Sequence, residues 1–227
     1  FQRVSINHAE MNAPLINYLK PNQSVVIIHS NEEAGYTGAE LVASKLKNKG
    51  VDVKAKLAYT PSDLDTRILG LKAIEHNSDA ILIIGAPCPG FINVIKTLKA
   101  EQNYKGDILC DVSLRTPSIM EALGNTTNGI FVPILPTKRI YEQHMDAAEA
   151  LTNAGLELYT FPIMMWDLLD VITFFIDNNI PFTQEEFVKL GKWSGISTDI
   201  EFFPEGNSTY HFILAKIQDG KFIPVEE

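Results

Sequence analysis

The stretch Ser24–Tyr59, SVVIIHSNEEAGYTGAELVASKLKNKGVDVKAKLAY, decides the fold. It opens on a short run rich in Val and Ile, Ser24 to Ile28, the mark of a strand buried in a parallel sheet. A polar loop, His29 to Thr37, follows. Ala39, Val42, Ala43 and Leu46 then recur at helical spacing, and Gly50 stands where a C-terminal helix cap belongs. Val51 to Tyr59 alternates as a strand does. Strand, helix and strand in one such span make a right-handed βαβ unit.

The same unit recurs on both sides. Upstream, Asn7 with Glu10 fits a capping box, Met11, Leu15, Tyr18 and Leu19 follow at helical spacing, and Pro21 ends the helix. Downstream, Ser62 and Asp65 can cap a helix whose apolar face is Leu64, Ile68, Leu71 and Ile74. Strands are expected at Ala80–Ile84, Ile108–Cys110 and Ile130–Pro133, joining Ser24–Ile28 and Val53–Leu57. Phe91, Val94, Ile95 and Leu98 form one helical face, and Pro117 to Leu123 a short helix. This alternation predicts a three-layer α/β domain around a five-stranded, mainly parallel sheet. After Pro136 the pattern changes: helices over Arg139–Asn153 and Phe161–Asn178, a third capped by Thr183 with Glu186, then β-like stretches at Ile200–Phe203 and Tyr210–Ile217. Asp219-Gly220, set between Ile217 and Phe222, signals a hairpin.

With 227 residues, 45% hydrophobic and 21% charged, the chain has an ordinary globular composition, long enough for one or two domains. The formal charge of −9 argues against nucleic acid or an anionic membrane surface as the main partner. The most apolar stretch, Phe161–Ile176, carries Asp167 and Asp170, so it reads as a helix of the folded domain and not a membrane span. No signal-peptide pattern opens the chain, which begins at Phe1 without Met, as a processed or incomplete chain would. Cys88 and Cys110 lack metal-site spacing.

Ligands of open α/β sheets sit outside the carboxyl ends of the strands. Here those ends are His29–Thr37, Gly85–Phe91, Asp111–Arg115 and Pro133–Thr137. They carry no nucleophile elbow, P-loop or complete dinucleotide fingerprint. Cys88 with His29 could act as nucleophile and base, but a lone Cys at a strand end is more often a small packed residue. Glu32 and Glu33 could approach a cation, yet two ligands fall short of a full shell. No cofactor is expected.

Beyond these elements, a longer pattern stands out. Val25–Ile28, the acidic loop ending in Ala34-Gly35, Gly50-Val51-Asp52-Val53, Tyr59 and Asp63 lead to Asp79-Ala80-Ile81-Leu82-Ile83-Ile84-Gly85. At the far end, Phe203-Pro204-Glu205-Gly206-Asn207 precedes Ile213–Ile217 and Asp219-Gly220-Lys221-Phe222-Ile223-Pro224-Val225. This resembles the type I periplasmic binding proteins of the branched-chain amino-acid transporter group. Phe1-Gln2-Arg3-Val4-Ser5 resembles that family's first crossover between lobes. The resemblance covers nearly all of this chain but about two thirds of a family member, without the first part of the N-terminal lobe. It implies a C-terminal-type lobe over residues 5–136 and 209–227, and a returning, incomplete part of the N-terminal-type lobe over 137–208. The helices of that part would then lack the sheet they cover in the family: the resemblance favours a fragment of a longer protein over a truncated relative whose missing lobe is carried by another chain.

The resemblance, with the strand-end rule, places a ligand among Ala34, Tyr36, Pro87, Cys88, Asp111 and Ser113. This chain departs from the family pattern there. Ala34 stands where many members have Tyr, with Tyr36 two residues on. Pro87 and Cys88 replace an aromatic or small polar residue. Asp111 lies beside the position where amino-acid binders carry an acid. By resemblance Cys88 and Cys110 also end adjacent parallel strands, within disulfide range in an oxidising compartment. The implied function is non-enzymatic: an extracytoplasmic solute-binding protein of an ABC transporter, periplasmic or extracellular, with or without a lipid anchor. Its partners would be a small polar or amino-acid-like ligand and a membrane permease or receptor. A ligand-sensing domain of a receptor, or an envelope interaction protein of the same fold, is the alternative.

Overall fold

The structure, a computed structural model, describes residues 8–63, 65–101 and 103–225. The Asn7 cap, the Phe1–Ser5 opening and Leu64 lie outside them. The chain divides into two compact units, one built on Asn12–Pro133 with Leu214–Glu227, the other on Ile134–Ile213. After a short helix α1 (His8–Met11), the first unit runs α2 (Ala13–Tyr18), β1 (Ser24–Ser30), α3 (Glu33–Asn48), β2 (Asp52–Tyr59), α4 (Arg67–Glu75), β3 (Ala80–Ile84), α5 (Pro89–Ala100), β4 (Asp107–Cys110), α6 (Pro117–Leu123) and β5 (Phe131–Ile134). The second carries α7 (Lys138–Gln143), α8 (Met145–Asn153), α9 (Thr160–Asp177), α10 (Gln184–Leu190), β6 (Lys192–Ser194), β7 (Asp199–Phe202) and β8 (Ser208–Thr209). Then β9 (Ile213–Gln218) and β10 (Lys221–Pro224) return to the first unit's sheet.

That sheet has seven strands in the order β10-β9-β5-β4-β3-β1-β2. The five expected strands are parallel neighbours; β9 and β10 extend the sheet as an antiparallel hairpin. At the hairpin turn Asp219 and Gly220 both have positive φ (48° and 73°), the backbone that a two-residue type I′ turn needs. Strands β1 and β3 are buried along their whole length, as their Val- and Ile-rich runs require. At the sheet edge, β2 alternates Lys54 and Lys56 outward with Val53, Ala55 and Leu57 inward. On one face of the sheet, Ala39, Val42, Ala43 and Leu46 of α3 pack in a core with Leu15, Ile27 and Leu82. Each such aliphatic side chain contributes roughly 1.5–3 kcal/mol by leaving water.

Two sequence expectations need correction. In α4 the buried residues are Gly70 and Ala73, whereas Ile68 and Leu71 are exposed (60% and 43%). The reason is close helix packing. A Cβ on Gly70 would lie 3.0 Å from Thr97 Cγ2 of α5, and Thr66 Oγ1 donates to the Gly90 carbonyl at 2.7 Å. Small residues therefore face α5, and the large ones turn outward. The helix expected over Arg139–Asn153 is broken at His144 (φ −134°, ψ 46°) into α7 and α8. The disulfide that the sequence leaves open is not formed: Cys88 and Cys110 are free. Their strands are neighbours, but the residue opposite Cys110 is Ile83, and Cys88 lies beyond the end of β3 at the N-terminus of α5.

In the second unit, α9 packs Ile163, Met164, Val171 and Phe175 inward. Phe175 stacks on Phe187 at 4.6 Å, and Phe187 meets Phe202 edge-on at 5.3 Å. These rings join α9 and α10 to the antiparallel sheet β6-β7-β8. Thr183 caps α10 by accepting from the Glu186 amide, as its spacing predicts.

Candidate functional site

The carboxyl ends of β1, β2, β3 and β4 meet in one polar network. Ser30, the last residue of β1, is fully buried; its hydroxyl donates to Glu32 Oε1 (3.0 Å) and accepts from the Ala86 amide (3.3 Å). At the end of β2, Tyr59 is buried, with its phenol 3.4 Å from the Ala86 carbonyl. Burial pushes that phenol's pKa well up, and the neighbouring Cys88 and Asp111 push it further. It stays a neutral hydroxyl.

Two glycines allow the ends to come this close. A Cβ on Gly35, in the first turn of α3, would lie 2.1 Å from Ser30 Oγ and 2.4 Å from the Ser30 carbonyl oxygen. Gly85, just after β3, has φ +151°, and a Cβ there would lie 2.4 Å from Ser30 Oγ and 2.8 Å from the Tyr59 hydroxyl. No other residue combines that backbone with that contact.

Beyond Gly85 the chain enters α5, where Cys88 is the N-cap. Its Sγ accepts from the Phe91 amide at 3.5 Å, and Pro89 begins the helix. Asp111 follows β4 and is 2% exposed. Its Oδ2 accepts from the Gly85 amide and its Oδ1 from the Ser113 amide, both at 3.0 Å. Burial raises its pKa to about 6, against the pull of those two amides. The carboxylate thus ties β3 to β4 and starts the 3-10 turn Val112–Arg115.

His29 points Nδ1 at the Ser30 carbonyl (2.9 Å) and lies edge-on to Tyr36, with ring centroids 6.1 Å apart. These contacts do not include Cys88, whose pairing with His29 is the less favoured sequence reading. Among the described residues no group of three or more His, Cys, Asp or Glu is placed to hold a metal. A cavity of about 470 Å³ lies elsewhere, within the second unit, lined by Arg139, Lys192, Asp199, Tyr210 and His211 among others. Its two cations both pair with Asp199, at 2.7 and 2.9 Å.

No family model matches the sequence, and no curated protein matches it. Solved structures do match. A leucine-binding protein from Thermotoga maritima superposes with a TM-score of 0.81 at 17% identity, over 97% of this chain and 65% of that one. A substrate-binding protein of an ABC transporter from Desulfitobacterium hafniense, solved with Leu, gives 0.71 at 16% identity, over 96% and 64%. A solute-binding protein of an ABC transporter from Rhodopseudomonas palustris, solved with 3,4-dihydroxybenzoic acid, gives 0.74 at 12% identity, over 99% and 66%. The chain has the type I periplasmic binding protein fold. It spans about two thirds of the length of these structures.

Within this binding-protein fold, the six residues expected from sequence occupy three adjoining loops. Ala34 and Tyr36 are exposed in the first turn of α3, Tyr36 at 53%. Pro87 is exposed and Cys88 half-buried before α5. Asp111 is buried with both oxygens engaged, and Ser113 is half-buried behind it. Sequence reasoning missed Ser30, Tyr59 and Gly85 as the members that join these loops. Tyr59 carried a signal, as a large residue closing an otherwise alternating edge strand; Ser30 carried none.

Proposed function

We propose that this chain is the larger part of an extracytoplasmic solute-binding protein. It binds a small polar or amino-acid-like ligand where the loops after β1, β3 and β4 converge. The observation that carries this reading is that convergence itself: Ser30, Tyr59, Gly85 and Asp111 fasten three loops into one rigid ledge. Exposed or half-exposed Ala34, Tyr36, Pro87, Cys88 and Ser113 face outward from it. The role is binding and not catalysis, in keeping with leucine and dihydroxybenzoate bound by proteins of the same fold. Such sites are rigid frames with variable loops, so the frame carries the class and the loops the ligand.

In this reading Asn12–Pro133 with Leu214–Glu227 is the second lobe, and residues 137–208 are the returning part of the first, completed by a segment that carries the rest of that lobe. A membrane permease of an ABC transporter reads the ligand-bound state, a population shift driven by the ligand's differential affinity. The compartment is periplasmic or extracellular. Asp111 contributes by fixing the ledge and its negative charge, which disfavours phosphates and other polyanions.

The test is a thermal-shift screen of amino acids and small aromatic acids, followed by calorimetry. One chemical class should give saturable binding that Ser113→Trp abolishes. Saturable binding that is unaffected by Ser113→Trp would place the site elsewhere, and the absence of any ligand would remove the reading.

A further inference from the structure

Asp167 of α9 is fully buried, and oxygens rather than hydrogen-bond donors gather around it. The loop of residues 195–198, between β6 and β7, curls over it. One amide of that loop, Ile196, donates to Oδ1 at 2.8 Å, while Oδ2 has no partner among the described residues. A Cβ on Gly195 would lie 2.9 Å from both Asp167 oxygens and 2.7 Å from the Thr198 carbonyl oxygen, so three oxygens converge on one side of Gly195. Tyr210 is 5% exposed and feels the charge of Asp167, and its hydroxyl has no partner. Ser208, two residues earlier and so on the same side of the strand, is fully buried with its hydroxyl also unpartnered.

These groups select a ligand class. A buried carboxylate held by one amide is costly unless a positive charge offsets it. The cation that acts on Asp167, Arg139, is already tied to Asp199 at 2.7 Å and to Ser194. Asp170, the next acid on α9, is exposed and adds to the negative potential. A water molecule would serve the two hydroxyls but leave the charge uncompensated. A divalent ion takes about six to eight oxygens, several of them carboxylate, whereas one carboxylate here supplies a single negative charge. Carboxylate, carbonyl and hydroxyl oxygens are hard donors, and hard cations prefer them.

We propose that Asp167, the Thr198 carbonyl and the Tyr210 hydroxyl hold one alkali cation, sodium or potassium, inside the second unit. Asp167 supplies the compensating charge, and the two neutral oxygens replace part of the ion's hydration shell. The ion clamps α9 to the loop that joins β6 and β7 and to the residue that follows β8. A ligand that binds only the folded chain stabilises it by mass action, so the second unit gains stability from the salt around it. All these residues lie outside the ledge of the first unit, and the proposal does not rest on the solute-binding reading.

The test is urea denaturation of the full-length protein, expressed from its own gene, at pH 8, where Asp167 is ionised. Sodium chloride and potassium chloride are titrated against choline chloride, whose cation is too large for the site, at constant total chloride. At about 150 mM, sodium or potassium should lower the unfolding equilibrium constant about fivefold or more relative to choline, and the effect should saturate as one-site binding does. Asp167→Asn should remove the difference between the salts. Tyr210→Phe keeps the ring and deletes one oxygen, and should raise the midpoint of the salt titration about threefold or more. Glu149→Gln, at an exposed acid of α8, should keep the full effect. Equal stability of the parent in all three salts would overturn the proposal. So would a difference that persists in Asp167→Asn, an unchanged midpoint in Tyr210→Phe, or a saturable effect of calcium or magnesium alone. Should Asp167→Asn not fold, the parent's titration and Tyr210→Phe decide between these outcomes. The readout needs no solute, so a failed ligand screen leaves it unaffected.

Discussion

Among the described residues each unit has one fully buried acid, and the two units treat it differently. In the first unit Asp111 gives both oxygens to backbone amides, those of Gly85 and Ser113, and its pKa rises only to about 6. In the second, Asp167 of α9 is fully buried with one partner, the Ile196 amide at 2.8 Å; its Oδ2 accepts no hydrogen bond. Its pKa rises to about 7, through burial first and the nearby Asp170 next, with the Ile196 amide and Arg139 pulling the other way. Burial penalises both ions, and the number of amides aimed at each helps set how much of that penalty remains. The difference extends to their surroundings. Tyr210, which feels the charge of Asp167, has a buried hydroxyl without a partner, as does Ser208. Around Asp111 the polar groups of Ser30, Tyr59 and Gly85 are all engaged.

The sharpest way to break this comparison is pH. A folded-state pKa above the unfolded value means that the folded chain holds its proton more tightly. The associated stability is present below pH 4 and lost as pH climbs through the folded pKa. For Asp167 the window is about pH 4 to 7. The rise to about 7 corresponds to roughly 4 kcal/mol as an upper figure. Asp167→Asn keeps an oxygen for the Ile196 amide and removes the charge. It should raise unfolding free energy at pH 8 by several kcal/mol relative to the parent and leave it nearly unchanged at pH 4, measured by urea denaturation. A variant equally or less stable at pH 8 would show that Asp167 is not a buried ion.

Backbone contact is the second lever. Gly85→Ala places a methyl on a positive-φ backbone and against Ser30 Oγ and the Tyr59 hydroxyl. It should cost about 3 kcal/mol, the sum of a left-handed backbone and an overpacked contact. Gly195 of the second unit has ordinary φ, but a Cβ there would lie 2.7 Å from the Thr198 carbonyl oxygen and 2.9 Å from both Asp167 oxygens. Gly195→Ala should therefore cost less, and Asp167→Ala in the same chain should recover part of the loss. Thermal unfolding of the two singles and the double variant reads this directly. Equal losses for Gly85→Ala and Gly195→Ala would mean that φ is not the deciding term.

These residues also show what could be read from sequence. The parallel strands, the inward faces of α3 and α5, the Asp219-Gly220 turn and the Thr183 cap were legible because each rests on local periodicity or local turn chemistry. The inward face of α4 was not, since Gly70 faces Thr97 only through a neighbouring helix and periodicity favours the larger Ile68 and Leu71. The two-residue β8 and three-residue β6 are too short to carry a pattern. At the candidate site, the strand-end rule found the loops and their exposed residues. It missed Ser30 and Tyr59, whose part depends on bonds to Ala86 far along the chain. Asp111 was legible as an acid at the right place, but its engagement with two amides follows from the fold.

A smaller effect is expected of Asp111 itself. An Asn there sets its NH2 against one of the two backbone amides, so Asp111→Asn should lose one hydrogen bond, about 1–2 kcal/mol, at pH 4, where the folded parent is protonated and its hydroxyl oxygen can still accept. As pH rises to 7 the parent loses the stability linked to its raised pKa and the variant does not, so the gap should close. Urea midpoints at pH 4, 5.5 and 7 give the trend; a gap that widens with pH would mean that the ionised carboxylate is favoured by the ledge.

Tyr36 should matter least to stability and separate frame from loop. Its ring is 53% exposed and makes one edge contact, to His29 at 6.1 Å. Removing it leaves no buried polar group unpaired and no cavity, so Tyr36→Ala should change unfolding free energy by no more than about 0.5 kcal/mol. If the ledge holds the ligand, the same change should weaken binding by about 1–3 kcal/mol, through the lost phenol contact, with the ligand found by the screen as titrant. Glu40, further along α3 and paired with Lys56, supplies the contrast. Glu40→Ala lies away from the first turn and should alter neither stability nor affinity measurably. Loss of affinity in Glu40→Ala with none in Tyr36→Ala would move the ligand from the first turn of α3 to its outer face.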